Sequence, residues 1–142
     1  LNAAPPDEAR KAAARRAARA IDALRRGWPV GIEADGERLH LLPVETGNLE
    51  AALPQSGTVS LLISATRADT LKLLNQLAAA DPRLPIQIRL AAPVTAAEII
   101  AIVDPVLDMR YPMKGPFQSE PLTNPAAAKA AMELARHAAL LP

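Results

Sequence analysis

Three carboxylates, Glu33, Asp35 and Glu37, crowd into the stretch Gly27–Thr46, GWPVGIEADGERLHLLPVET, and Glu45 follows close behind. Carboxylates gathered in this way are a donor set for a divalent cation and a source of general acids and bases. The plainer reading is that the tip of a hairpin is polar because water surrounds it. A second group is basic. Arg110 and Lys114 flank Tyr111 and Gly115 in MRYPMKGP, and together with Arg67 they are candidates for holding a phosphate. The histidines, His40 and His137, stand far apart in the chain and supply no paired ligand set. His137 suits the C-terminal end of a helix, where positive charge is favoured. His40 alternates with Leu39 and Leu41, which points it toward solvent or a partner subunit. There is no Gly-rich phosphate loop and no G-x-S-x-G motif. The chain has no cysteine, which excludes disulfides, thiol nucleophiles and cysteine-ligated zinc within it.

The elements that must position these residues follow from punctuation and periodicity. Leu1–Pro6 reads as a disordered lead-in. Pro6 or Asp7 opens a helix to about Arg26, with Ala13, Ala17, Ala20, Ile21 and Leu24 on one side and Lys11, Arg15, Arg16, Arg19 and Arg26 on the other. The basic side has the charge to touch phosphate, but the plainer reading is an ordinary solvated face. Gly27 stops the helix. Asp35-Gly36 between two apolar runs signals a tight hairpin. Gly47–Gly57 is a loop with one helical turn at Leu49–Leu53. Thr58–Ser64 is a buried strand. Thr66 and Asp69 have capping-box spacing and predict a helix to about Ala80, with Ala68, Leu71, Leu74 and Leu77 facing inward and Asp81-Pro82 ending it.

Ile86–Leu90 alternates like a half-buried strand. Thr95 and Glu98 repeat the capping box and open a short helix to Val103, closed by Asp104-Pro105. Leu107–Thr123 carries MRYPMKGPFQSEP and reads as one long irregular segment, of the kind that is usually functional or mobile. Asn124 caps a last helix, with Pro125 at its first position, that runs to about Leu140. Ala128, Ala131, Leu134 or Ala135, and Ala138 give this helix a smooth face. Strands interleave with helices, so the predicted class is α/β or mixed α+β: one domain over residues 1–142, a single mixed sheet with flanking helices.

Bulk properties narrow the function classes. Sixteen basic and fifteen acidic side chains nearly cancel, so no global charge draws the chain to nucleic acid or an acidic membrane. No apolar run approaches the ~20 residues of a membrane span, and no apolar core of a signal peptide follows the basic N-terminus. A cytoplasmic location is expected. The sequence begins with Leu, as a fragment or processed chain would.

Four blocks, in order, resemble one family. Ala20–Val44, AIDALRRGWPVGIEADGERLHLLPV, is similar to the opening of dihydroxybutanone phosphate synthase, the riboflavin-pathway enzyme acting on ribulose phosphate. Thr58–Leu74 is similar to that family's strand and following helix, and Val94–Pro105 to a helix ending in Asp-Pro. Asn124–Pro142, NPAAAKAAMELARHAALLP, matches its last helix. The resemblance implies a shortened version of that fold. It also implies that the family's magnesium-binding acidic run falls on Ala34–Leu42. There Asp35 and Glu37 survive as charges, while the closing Glu-Gly-Asp is replaced by apolar residues. The family's last helix opens with Arg-Pro-Gly-His-Thr-Glu; its His corresponds to Ala127 and its Glu to Lys129. The chain is also shorter than the family norm, mainly between Leu90 and Val94.

A narrower resemblance is to the degenerate synthase domain fused ahead of some bacterial GTP cyclohydrolase II proteins. It is carried by SLLISATRADTLKL and DPVLDMRYPMKGPF. It implies an inactive domain with a structural, dimerisation or regulatory role, a homodimer, and a cyclohydrolase domain joined near Pro142. Zinc would then belong to that second domain, and this chain would hold no cofactor of its own. The alternatives are a phosphate-binding module on Arg67, Arg110 and Lys114, and a divalent-metal enzyme using Glu33, Asp35 and Glu37.

Overall fold

The computed structural model describes residues 5–73, 81, 83–112 and 114–141. Pro5 is the N-cap of α1 (Pro6–Arg25), so the lead-in has already ended there, and its first four residues lie outside the described ones. Only the C-terminal turns of α1 pack. Leu24 is buried and Ala20, Ile21 and Ala23 are half-buried, whereas Ala13 and Ala17 are exposed. The inward stripe expected from Ala13 onward therefore begins at Ala20, because no described element lies against the earlier turns. Gly27, at φ +76°, ends the helix; a Cβ there would sit 2.0 Å from Thr46 O. Thr46 Oγ1 in turn donates to Leu24 O at 2.7 Å, fastening the helix end to the segment after the hairpin.

The hairpin is β1 (Val30–Ala34) and β2 (Glu37–Leu41). Asp35 and Gly36 both have positive φ, +53° and +78°, the signature of a type I′ turn. β1 and β2 form one two-stranded sheet. Its inner face lies against the ends of α1 and α5 (Pro125–His137), with Val30, Leu24 and Ala138 at the centre of a small core. Arg25 joins the two helix ends, donating from Nη2 to His137 O at 3.0 Å and from Nε to Ala138 O at 3.4 Å. A cation at these carbonyls is favoured by the helix dipole.

The second sheet contains β3 (Thr58–Ile63), β4 (Ile86–Ala91) and β5 (Gln118–Glu120) in the order β3-β4-β5, all antiparallel. Leu61, Ile63, Ile86, Ile88 and Ser119 share its buried face. They meet α4 (Ala96–Val103) through Ile99, Ile102 and Val103, α2 (Leu49–Ala52) through Leu49, and α3 (Ala65–Thr70) through Ala68. The opposite face carries a polar ladder. Ser60 Oγ and Gln87 Nε2 donate to Glu120 Oε1 at 2.8 and 2.6 Å, and Arg89 lies 3.6 Å from Glu120 Oε2. These contacts hold the Glu120 carboxyl below its usual range, Gln87 first, then Ser60.

The fold is mixed α and β, as expected, but it is not one mixed sheet. Among the described residues the strands form two separate antiparallel sheets: no described strand pairs along the outer edge of β1 or β2, and helices cover the hairpin's inner face. Three local expectations also change. The cap of α3 is Ser64, whose Oγ accepts from Arg67 N–H at 3.1 Å, not Thr66. Ser64 is the last extended residue after β3, so its hydroxyl reaches the first free N–H before Thr66 does. α3 ends at Thr70, and Lys72 takes φ +62°; Leu74 and Leu77 fall outside the described residues. The segment Leu107–Thr123 is not wholly irregular, since it contains β5. Before it, Pro105–Leu107 forms a 3-10 turn capped by Asp104. The capping box of Thr95 with Glu98 is present, and so is the Asn124-Pro125 helix start. No described helix is long and apolar enough to cross a membrane.

Candidate functional site

The basic candidates are drawn together by a residue the sequence reading passed over, Asp108. Arg67 lies in the first turn of α3 and its side chain is only 6% exposed. Its Nε donates to Ile102 O in the last turn of α4 at 2.7 Å. The rest of the guanidinium forks onto Asp108, Nη1 to Oδ2 at 2.6 Å and Nη2 to Oδ1 at 2.7 Å. This is the bidentate geometry in which a planar guanidinium fits a carboxylate. Lys114 Nζ meets the same Asp108 Oδ1, and its side chain is nine-tenths buried. The Asp108 carboxyl is held far below the usual carboxylate range, by Arg67 first and Lys114 second, against a smaller opposing effect of burial. Asp108 follows the 3-10 turn, where Val106 N–H donates to Asp104 Oδ1 at 2.9 Å and fixes the approach.

The cluster therefore ties α3, the end of α4 and the Pro-rich segment into one unit. Arg110 is not part of it. That residue is exposed, and its backbone N–H closes a turn onto Leu107 O at 3.1 Å. The expected triad of cations is thus a pair, and both members are already bonded to a carboxylate. Asp108 left a faint signal: it is an acid between two prolines, six residues before a lysine. Nothing local connects it to Arg67, forty-one positions earlier.

The acidic candidates do not converge. Ala34 pairs with Glu37, and Glu33 with Arg38. Cross-strand partners share a face, so Glu37 lies on the face of Ile32 and Leu39 while Glu33 lies on the other. The even count of the turn reverses the alternation that would have kept Glu33 and Glu37 together. Asp35 is at the apex. Glu33 bonds Arg38 Nη2 at 2.9 Å, on the exposed side, where Arg38 and His40 lie over Gly31. Glu45 is engaged elsewhere, accepting from Leu141 N–H at 2.7 Å. Among the described residues no three histidine, aspartate or glutamate side chains are grouped to hold a metal ion.

One contact links the hairpin to the last helix. Asn124, 7% exposed, accepts from Ala127 N–H at 3.0 Å as the cap of α5. The other end of its amide donates to Ala34 O at 2.8 Å. The next turn of the helix is Ala127 and Ala128, 0% and 2% exposed. This junction was legible as a helix cap but not as a link between two distant segments.

Two cavities flank these features. One, of about 310 Å³, lies between β3, the hairpin and α5 and is mostly apolar. The other, of about 420 Å³, lies between α4, the end of β4 and the segment after the 3-10 turn, and Lys114 lines it. No protein-family profile, curated protein or solved structure matches the chain.

Proposed function

We propose that the chain is a catalytically inactive, dihydroxybutanone phosphate synthase-like domain of a GTP cyclohydrolase II-type protein, acting in the cytoplasm in assembly or regulation rather than turnover. The observation that carries this reading is the Asn124–Ala34 junction. In the resembled family the hairpin and the start of the last helix jointly serve a metal and its substrate. Here the same two segments touch, but the side chains at the junction cap and pack.

A divalent cation does not fit the residues present. Glu33 and Glu37 lie on opposite faces, and Ala127 and Ala128 are buried and without donors. Lys129, exposed on the same turn, would repel a cation. What remains is a frame whose small-residue helix face packs within the chain itself, so pairing with a second copy or docking a further domain would use the surfaces outside it. A phosphate module built on Arg67, Arg110 and Lys114 has less support, because Arg110 stands apart and exposed, and the Arg67 guanidinium is committed to Asp108 and Ile102 O.

The test is the intact mass and metal content of the native gene product. A larger protein with bound zinc and cyclohydrolase activity supports the reading, with no release of dihydroxybutanone phosphate from ribulose phosphate in the presence of magnesium. Synthase turnover by this chain, or a native product with neither zinc nor cyclohydrolase activity, would overturn it.

A further inference from the structure

The cavity beside α4 has a composition that the proposed assembly role does not use. Its walls are Leu90, Val94, Ala97, Ala101, Ile102 and Phe117, and three polar side chains line it: Lys114, Tyr111 and Glu98. Glu98 is exposed at the start of α4, with Oε2 accepting from Thr95 N–H and Thr95 Oγ1 at 2.7 and 2.9 Å. Lys114 is different. Its side chain is 10% exposed, and its ammonium carries three donors, of which Asp108 is the partner among the described residues. Arg67, Lys114 and Asp108 together leave one positive charge in excess, and Lys114 is the member that lines the hollow. Buried charge without full compensation is costly, and an anion entering from the cavity would relieve it.

The chemistry of the hollow selects the anion. Apart from Lys114, Tyr111 and Glu98 the lining side chains are aliphatic or Phe117, so a sugar phosphate would bury most of its hydroxyls against side chains that offer no hydrogen bonds. A dianion would also meet Glu98 at the rim. A single carboxylate on an apolar body avoids both penalties. We propose that this cavity binds a small organic acid, with its carboxylate on Lys114 Nζ and its apolar body against Ala97, Ala101 and Val94, in a hollow that Tyr111 also lines. The volume of about 420 Å³ falls within the range of small-molecule sites. The cluster with Arg67 and Asp108 gives the site a fixed floor, since the lysine is held before any ligand arrives.

The probe is 2-naphthoate, titrated into the 142-residue chain and followed by amide chemical shifts. The neutral 2-naphthalenemethanol and inorganic phosphate are the comparisons. Saturable shifts are expected at Val94, Ala101, Lys114 and Phe117, with the alcohol weaker by about tenfold, the scale of one charge-assisted hydrogen bond. Lys114→Met should weaken naphthoate by a similar factor. Because that change touches the ion cluster, Ala97→Leu is the second variant. It fills the cavity from an exposed helix position, leaves the cluster intact, and should abolish the shifts in a folded protein. Naphthoate shifts that are absent at millimolar concentration, equal for acid and alcohol, or unchanged by Ala97→Leu would overturn the proposal. So would phosphate binding more tightly than naphthoate.

Discussion

The hairpin tip and the Asp108 cluster hold similar numbers of charges and are opposites in every other respect. At the tip, Glu33, Asp35 and Glu37 are adjacent in sequence, exposed, and separated by the fold. In the cluster, Arg67, Asp108 and Lys114 are distant in sequence, largely buried, and joined by it. Proximity along a strand is a poor guide to proximity in space, because each position reverses the face and a two-residue turn reverses it again. Burial decides which charges matter. Water screens the Glu33–Arg38 pair, whose side chains are 65% and 59% exposed, whereas Arg67 has almost no solvent to fall back on.

The largest effect is expected from Asp108→Ala, which strands the Arg67 guanidinium and the Lys114 ammonium. Removing one partner of a buried pair costs about 3–5 kcal/mol, so urea unfolding followed by circular dichroism should show the midpoint collapse. A loss no greater than that of a surface variant would erase the contrast between the two regions. Gly27→Ala comes next. It forces a side chain into a positive-φ position and onto Thr46 O. A loss of about 2–3 kcal/mol in the same assay is expected, and would show that the hairpin is secured by backbone geometry rather than by its acids.

Asn124→Ala should cost about 1–2 kcal/mol, since it removes a helix cap and the donor to Ala34 O together. Asn124→Asp keeps the cap and loses only the donor, so its unfolding midpoint should lie between those of wild type and the alanine variant. Glu33→Gln should leave the midpoint unchanged. Any clear loss there would mean that the tip carries structure after all.

Acid sharpens the same comparison. The folded protein holds the Asp108 carboxyl below its unfolded pKa, so the unfolded chain binds the proton more readily. The stability from this group is complete above an ordinary carboxylate pKa of about 4 and is lost as the pH falls below that. Glu120, depressed by Gln87, Ser60 and Arg89, adds a smaller loss of the same sign. In Asp108→Asn the fall in urea midpoint from neutral pH to pH 3 should be shallower than in wild type.

What could be read from sequence was what short-range chemistry settles. The hairpin, the Thr95–Glu98 box, the stop at Asp104-Pro105 and the Asn124-Pro125 start each depend on a few neighbouring residues. The capping hydroxyl of α3 was misplaced because Ser64 and Thr66 are equivalent until the end of β3 is known. β5 was hidden because three residues, Gln118, Ser119 and Glu120, have no periodicity of their own and are strand only beside β4. The expectation of one sheet fails for the same reason: which strand edges pair is a tertiary fact. Asp108 and the second role of Asn124 depend on partners 41 and 90 positions away, beyond any local pattern.

The unsupported beginning of α1 has one more consequence. A protease needs an unfolded stretch, and the last turns of α1 would have to leave the core to provide one. The turns from Arg10 to Arg19 have no core to surrender and can open by themselves. Within α1, trypsin should therefore cut stepwise through Arg10, Lys11, Arg15, Arg16 and Arg19 and stop where Ile21 and Leu24 enter the core and Arg25 is fastened to the end of α5.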